Sequence, residues 1–296
     1  MSNELRAMLA ANEELTPADL ANLKYPVWCS YKFDGIRGRI LDMLVSRSGK
    51  LIPNLHIQSQ LSKYAGCGLD GEIVTPGDFN DVQSAVMSHG GIPGFSYHVF
   101  DWSNNPGLAF RERYTLAKMT VEGLNNPCIQ MAEQFICNSP QEVLDLFERV
   151  IEFGEGYDGI IIRDPDAPYK FGRSTLKQGW MIKYKPWKDA EAIITGFEEL
   201  MLNENESVED ARGYSTKSKH QANLVPADTL GKFICEWNGK TIKIGGGKGM
   251  TDERRKYWWT HQDEFIGKQV NFKYLNLSAE GIPRHPNLRG IRLENV

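Results

Sequence analysis

Lys32, Asp34, Gly35 and Arg37 put a lysine, a carboxylate, a turn-permitting glycine and a guanidinium within six residues. Together they suit a lysine that attacks phosphorus. A lysine amine is a nucleophile only when deprotonated, so nearby cations are expected to lower its pKa. Gly35 lets the backbone turn and approach a ligand closely. A strand ending in a solvated Asp-Gly turn is the plainer alternative. Lys183 and Lys185 lie two apart on a predicted strand, so their side chains share a face and can bracket one phosphate group. Lysines guarding an exposed sheet edge give the same pattern. Glu72 and Asp158 are the carboxylates to set beside a nucleotide and its metal. Magnesium takes oxygen ligands and keeps waters, so one or two carboxylates plus phosphate oxygens suffice. The Asp-Gly pairs at 70–71 and 158–159 also read as simple turns.

Strand ends must position these groups so that they converge on one cleft. Residues 27–31 read as a strand delivering Lys32, and residues 38–46 as the next strand of a meander. Thr16-Pro17-Ala-Asp19 starts a helix with proline at its first position. Ser139-Pro-Gln-Glu142 is a capping box opening an amphipathic helix through Val143, Leu146, Phe147, Val150 and Ile151, with Gly154 placed to end it. Residues 159–163 form a short β-branched run, read as a buried strand. After Pro186-Trp187-Lys188 the pattern changes to short strands at 190–198, 232–237, 240–244 and 269–275. A helix at 252–266, closed by Gly267, interrupts them. Asn238-Gly239 is the strongest short hairpin signal in the chain. Short strands plus one helix suit an OB-type barrel, with residues 199–230 as a long mobile loop within it.

Two glycine-rich stretches fail as phosphate loops. Gly154-Glu-Gly-Tyr-Asp-Gly159 matches G-x-G-x-x-G in letters, but a helix precedes it and a strand follows, the reverse of a dinucleotide site. Gly245-Gly-Gly-Lys-Gly249 lacks the first glycine and the Ser or Thr of a Walker loop.

The signals recur in a fixed order: Lys32-x-Asp-Gly-x-Arg37, Ser46-Arg47-Ser-Gly49, Leu69-Asp-Gly-Glu72, Tyr97-His-Val-Phe-Asp101, Tyr157-Asp-Gly-Ile-Ile-Ile-Arg163 and Met181-Ile-Lys-Tyr-Lys185. This succession resembles the covalent nucleotidyltransferases, most closely the small ATP-dependent DNA ligases of the bacteriophage type, from about Lys24 to the Arg284–Arg292 stretch. The resemblance implies an α+β chain with an adenylation domain of antiparallel sheets and flanking helices, residues 1–188, and a small all-β OB-fold domain, residues 189–296. It implies ATP and Mg2+, with Mn2+ a possible substitute, and nicked duplex DNA as partner. Lys32, Lys183 and Lys185 would be catalytic. Arg37, Arg47, Glu72, Phe100, Lys183, Lys185 and Arg292 would join Lys32 in holding the nucleotide, with Glu72 and Asp158 at the metal. Phe100 would stack on adenine, although an apolar strand residue is also simply core. Lys183 and Lys185 would meet the α-phosphate and depress the pKa of Lys32, and Arg292 would orient pyrophosphate.

The chain departs from the family in three places. Asp158 stands where glutamate is usual, Ser30 where glutamate precedes the nucleophile by two, and Arg284, Arg289 and Arg292 match the final motif only in part, with Glu294 and Asn295 following. An RNA ligase, a capping guanylyltransferase and a noncatalytic nucleic-acid-binding protein are the alternative readings.

Composition sets the outer bounds. The 296 residues are 41% hydrophobic and 24% charged, as in globular proteins. No apolar run is long enough to cross a bilayer and no signal-peptide pattern opens the chain, so a cytoplasmic address in a bacterial or phage-infected cell and no membrane partner are expected. Little chain precedes Lys24, so no additional DNA-binding domain is expected, and the small size suggests a monomer. Five scattered cysteines without a Cys-x-x-Cys pair indicate neither a disulfide framework nor structural zinc. The net charge of −4 is unevenly spread: residues 198–210 carry six acids and no base, whereas residues 211–296 carry fifteen Lys or Arg against eight Asp or Glu. That basic section can hold a phosphate backbone, or be a solvated mixed surface.

Overall fold

The computed structural model describes residues 6–292 except 13, 14, 78, 154–156, 186, 206, 210–214, 218–222, 248, 276 and 279. Its contacts divide the chain into two compact units, residues 1–185 with 209–215, and residues 186–208 with 216–296. Gly154, expected to end a helix, and Glu294 and Asn295, which follow the last arginine of the final motif, lie outside the described residues.

The first unit is built on two sheets. Strands β2 (Val27–Phe33), β8 (Phe135–Cys137), β9 (Tyr157–Arg163) and β11 (Met181–Tyr184) form one, in the order β11-β9-β2-β8, all antiparallel. Strands β3 (Ile36–Ile40), β4 (Leu44–Ser46), β5 (Leu69–Val74), β6 (Ser96–Trp102) and β7 (Ile129–Met131) form the other, ordered β4-β3-β5-β6-β7, with only β6 and β7 parallel. The strand expected over 38–46 is therefore two strands, broken where Leu41, Asp42 and Met43 turn the chain. A short β1 (Met8–Leu9) pairs in parallel with β10 (Gly172–Arg173).

Alternation explains how β2 serves both core and site. Val27 and Cys29 enter a core with Ile160, Ile162 and the apolar face of α5 (Pro140–Phe153), namely Val143, Leu146, Phe147 and Val150. Lys32, on the opposite parity, projects from the other face. Helix α5 opens at Ser139, whose Oγ accepts from the Glu142 N–H at 3.3 Å, while the Glu142 carboxylate accepts from the N–H of Asn138, one residue before the expected capping-box partner, at 3.0 Å. Helix α1 (Pro17–Leu20) starts at Thr16 with a reciprocal arrangement to Asp19. Ile36, Ile73, Tyr97 and Val99 of the second sheet pack against Val82 and Val86 of α3 (Phe79–Met87) and Ala117 of α4 (Phe110–Leu124). Helix α2 (Leu55–Leu61) adds Ile57 and Leu61 to that core.

The second unit is a five-stranded sheet curled toward closure. Strands β12 (Lys188–Asn203), β15 (Leu224–Trp237), β16 (Lys240–Ile244), β17 (Gln269–Tyr274) and β18 (Asn287–Arg292) run in the order β16-β15-β12-β17-β18. A bridge from Gly246 to Asn287 joins the two ends, with the Leu288 N–H donating to the Gly246 carbonyl at 2.7 Å. The Asn238-Gly239 turn has φ of 48° and 72°, the left-handed pair a two-residue hairpin demands. Helices α6 (Asp252–Thr260) and α7 (Gln262–Phe265) replace the single helix expected, because His261 leaves helical geometry at φ −123° and ψ 39°. Trp258 and Phe265 join Ile194, Phe233, Val270 and Phe272 in the barrel core. The long loop expected over 199–230 is corrected. Strand β12 continues to Asn203 and β15 starts at Leu224, so Met201, Leu202 and Asn203 pair with Pro226, Val225 and Leu224. Pro226 sits beside a register shift at Glu199–Met201, where a strand tolerates the missing N–H. Beyond this ribbon, β13 (Ser207–Glu209) and β14 (Ser215–Lys217) form a two-stranded pair.

Candidate active site

Three neighbouring strands bring the lysines and a carboxylate together. Register places Tyr31 opposite Ile160 and Phe33 opposite Tyr157, and Lys183 opposite Ile161. Lys32 Nζ donates to Asp158 Oδ2 at 2.9 Å, across 126 positions of sequence, and Lys185 Nζ donates to the same oxygen. Gly159 makes this approach possible. Its φ is +113°, and a Cβ there would lie 2.4 Å from the Tyr184 carbonyl oxygen, so only glycine lets β9 run close under Lys185. Gly35 is tight in another way: an added Cβ would meet the Ile73 carbonyl at 2.5 Å and Glu72 Cγ at 2.7 Å.

The charges set the proton affinities. Burial pushes the Lys32 amine down, but Asp158, Glu72 and Asp34 together hold its pKa above the ordinary lysine value. Lys32 is thus not depressed as expected from Lys183 and Lys185: the carboxylate 2.9 Å away, with Glu72 and Asp34, outweighs burial. The depression falls on the other two amines instead. Burial lowers Lys183, helped by Lys185 and Arg173, and burial lowers Lys185, helped by Lys32. Burial alone would raise Asp158, yet Lys32 and Lys185 hold it below the usual carboxylate range. Glu72 goes the other way: burial raises it to about 7 against the pull of Lys32 and Arg37.

Glu72 sits on β5 between Arg37 and His98 of the adjoining strands. Phe100 lies half-buried on β6, with the Arg37 guanidinium 4.9 Å from its ring centroid and that of Arg163 at 5.8 Å. Arg37 is largely committed to the protein. Its Nε and Nη2 donate to Asp70 at 2.8 and 2.6 Å, and Nη1 donates to the Met8 carbonyl at 2.6 Å, so three of a guanidinium's five N–H groups are engaged. Lys183 Nζ donates to Asn12 Oδ1 at 3.1 Å, so it and Lys185 have different partners. Arg47 follows β4, its carbonyl accepting from the Ala7 N–H at 2.9 Å. Arg292 belongs to the second unit, on β18, ion-paired to Glu191 at 2.8 Å.

Among the described residues no cluster of three His, Cys, Asp or Glu could hold a metal. With its pKa near 7, the Glu72 carboxyl titrates around neutrality, and a cation placed beside it would have to displace the proton it holds below that value. Sequence reasoning missed Asp70 and Tyr169. Asp70 stands two before Glu72 on one strand, a parity signal that was there to use. Tyr169 carried none.

A lysine on a strand end, flanked by carboxylates and by Lys183 and Lys185, in a chain whose second unit is an OB-type barrel, has the arrangement the resemblance to the covalent nucleotidyltransferases implies. The comparisons sharpen this. Residues 224–292 match the family described as DNA ligase OB-like domain. Among curated proteins, the DNA ligase of Enterobacteria phage T3 is 25% identical over 165 residues, covering 55% of this chain and 40% of that protein. The DNA ligase of Haemophilus influenzae is 23% identical over 262 residues, 86% of this chain and 82% of that protein. The chain thus spans less than half the length of the phage relative. The crystal structure of Chlorella virus DNA ligase-adenylate aligns with a TM-score of 0.56 at 29% identity, over 97% of this chain and 99% of that one. These likenesses are all to DNA ligases, and none is to an RNA ligase or a capping enzyme.

Proposed function

We propose that the chain is an ATP-dependent DNA ligase that seals nicks in duplex DNA through a lysyl-AMP intermediate, with Lys32 as nucleophile. The observation that carries the proposal is the Lys32 amine held on Asp158 beside Lys185. Lys32 attacks the α-phosphorus of ATP, pyrophosphate leaves, and a phosphoramide bond to AMP remains. AMP then passes to the 5′-phosphate at a nick, and the 3′-hydroxyl displaces it to join the strands. Asp158 favours the charged form of the amine, so attack needs that carboxylate engaged by another cation. Asp158 and Glu72 would hold magnesium, or manganese in its place, which when bound supplies positive charge to the phosphate oxygens. Lys185 and Lys183, whose amines burial makes less basic than usual, would stabilise charge on the α-phosphate. Arg37 and Phe100 shape the seat for the nucleoside. The roles of Arg47 and Arg292 rest on the resemblance alone.

The same reading assigns adenylation to residues 1–188 and the OB domain to residues 189–296, with a monomer acting in the cytoplasm. It is supported by the two compact units and by a basic second section suited to phosphate backbone. No described helix is long and apolar enough to cross a membrane. The test is a gel assay with labelled ATP, GTP or NAD and a divalent cation. The protein should form an adduct with ATP, Lys32→Ala should form none, and that variant should still seal a preadenylylated nick in part. A full adduct in Lys32→Ala removes Lys32 from the mechanism, and an adduct with GTP alone turns the reading to capping chemistry.

A further inference from the structure

A closed ring of hydrogen bonds lies beside Arg37. The Met8 N–H donates to Tyr169 Oη at 3.1 Å, and the Tyr169 O–H donates to Asp70 Oδ2 at 2.6 Å. Asp70 accepts twice from Arg37, and Arg37 Nη1 returns to the Met8 carbonyl at 2.6 Å. Met8 and Asp70 are fully buried, Tyr169 is 4% exposed, and the Arg37 side chain is 10% exposed. Hydrogen bonds in such a setting hold geometry firmly, because water does not compete for them.

The ring joins parts far apart in sequence. Tyr169 and Asp70 are 99 positions apart. The segment carrying Met8 is itself sewn across the unit. Its Ala7 N–H bonds the Arg47 carbonyl at 2.9 Å, its Leu9 carbonyl accepts from Ser174 at 2.8 Å, and its Ala11 N–H bonds the Met181 carbonyl at 2.9 Å. It therefore touches the segments carrying Arg37, Arg47 and Lys183. Asp70 also faces Arg39, whose guanidinium lies 5.5 Å from the Tyr169 ring. Burial and the nearby Asp70 hold the Tyr169 phenol protonated throughout the working range, so it stays a donor to the carboxylate. Arg37, fixed on three N–H groups, is in turn set against the ring of Phe100.

We infer that Tyr169 is a positioning residue for nucleotide capture, acting through Asp70 on the Arg37 guanidinium and through Arg37 on the ring of Phe100, with Met8 closing the circuit. The inference rests on the reading of this site as a lysyl-adenylylation site. Tyr169 touches no reacting atom. Without its hydroxyl, Asp70 and the Met8 N–H lose a buried partner and Arg37 loses its fixed orientation.

The test is a double-mutant cycle read by single-turnover adduct formation against ATP concentration. Tyr169→Phe should raise the half-saturating ATP concentration about tenfold, the usual scale for orphaning buried partners of one hydroxyl, while the maximal rate changes less than about twofold. In an Arg37→Lys background, where the fork is gone, Tyr169→Phe should add less than about twofold. Tyr114→Phe is the structural control. Its hydroxyl bonds the Ala132 carbonyl at 2.9 Å, and its removal should leave ATP affinity unchanged. Unchanged affinity in Tyr169→Phe, fully multiplicative effects in the cycle, or an equal loss in Tyr114→Phe each overturn the inference. Should Tyr169→Phe fail to fold, Tyr169→His restores a donor toward Asp70: wild-type affinity there supports the inference, and a tenfold loss overturns it. A parent protein forming no adduct with any nucleotide would instead remove the functional reading beneath it.

Discussion

Glu72→Gln tests the electrostatics of the site without nucleotide or DNA. The Glu72 carboxyl group is lifted by burial from 4.5 to about 7. Between those values the folded protein holds a proton that the unfolded chain releases, so the folded state binds more protons and wild-type stability falls as pH rises through the window. The separation is worth about 3 kcal/mol at pH 8, less where water reaches the half-buried carboxylate. Glutamine keeps the shape and has no charge to desolvate. The variant should therefore match or slightly trail wild type at pH 4.5, and gain on it by about 2–3 kcal/mol at pH 8. Urea unfolding in chelating buffer at the two pH values measures this directly. A stability difference that is the same at both values would refute the reasoning, because a carboxylate already ionised at pH 5 imposes no such slope. A difference largest at pH 4.5 would mean the shift has the opposite sign.

Other substitutions probe the rest of the framework. Asp158→Ala should lower adenylylation and sealing by orders of magnitude, and unchanged divalent-cation dependence in that variant would end its assignment to the metal. Gly159→Ala forces a side chain onto the Tyr184 carbonyl at a φ of +113°, and should destabilise by about 2–4 kcal/mol with loss of the adduct, read by thermal unfolding and the labelling gel. Asp101 is fully buried between Arg113 at 2.8 Å and Arg163 at 2.6 Å, so Asp101→Asn should destabilise by about 3–5 kcal/mol, leaving two guanidiniums without their counter-charge. An unfolding midpoint near wild type would show that water reaches that cluster.

Much of the scaffold was legible in the sequence because it is set by neighbours along the chain. Residues 27–31 read as a strand delivering Lys32, and the structure sets Cys29 in the core and Lys32 on the other face. Ser139 and Glu142 mark a helix start wherever they occur, and Asn238-Gly239 turns a hairpin because both residues tolerate positive φ. The ordered motifs likewise announced the chemistry. Local signals failed where pairing across the sheet decided the outcome. The segments 199–203 and 224–230, which flank a polar stretch and include Pro226, read as part of a loop in isolation and become a ribbon because each strand supplies the other's backbone partners. The same holds for charge. Lys183 and Lys185 were visible as cations, but the proton affinity of Lys32 depends on inverse distance to whatever lies nearest in space, and Asp158, 126 positions away, lies nearer. Arg37 was read as a ligand for nucleotide, yet Asp70 and the Met8 carbonyl claim three of its five donors. The chain by itself determined which reactive groups are present and which strand ends carry them. Only the tertiary structure decided their partners, and hence their charge states, because ionisation responds to burial and to neighbours that sequence separation does not reveal.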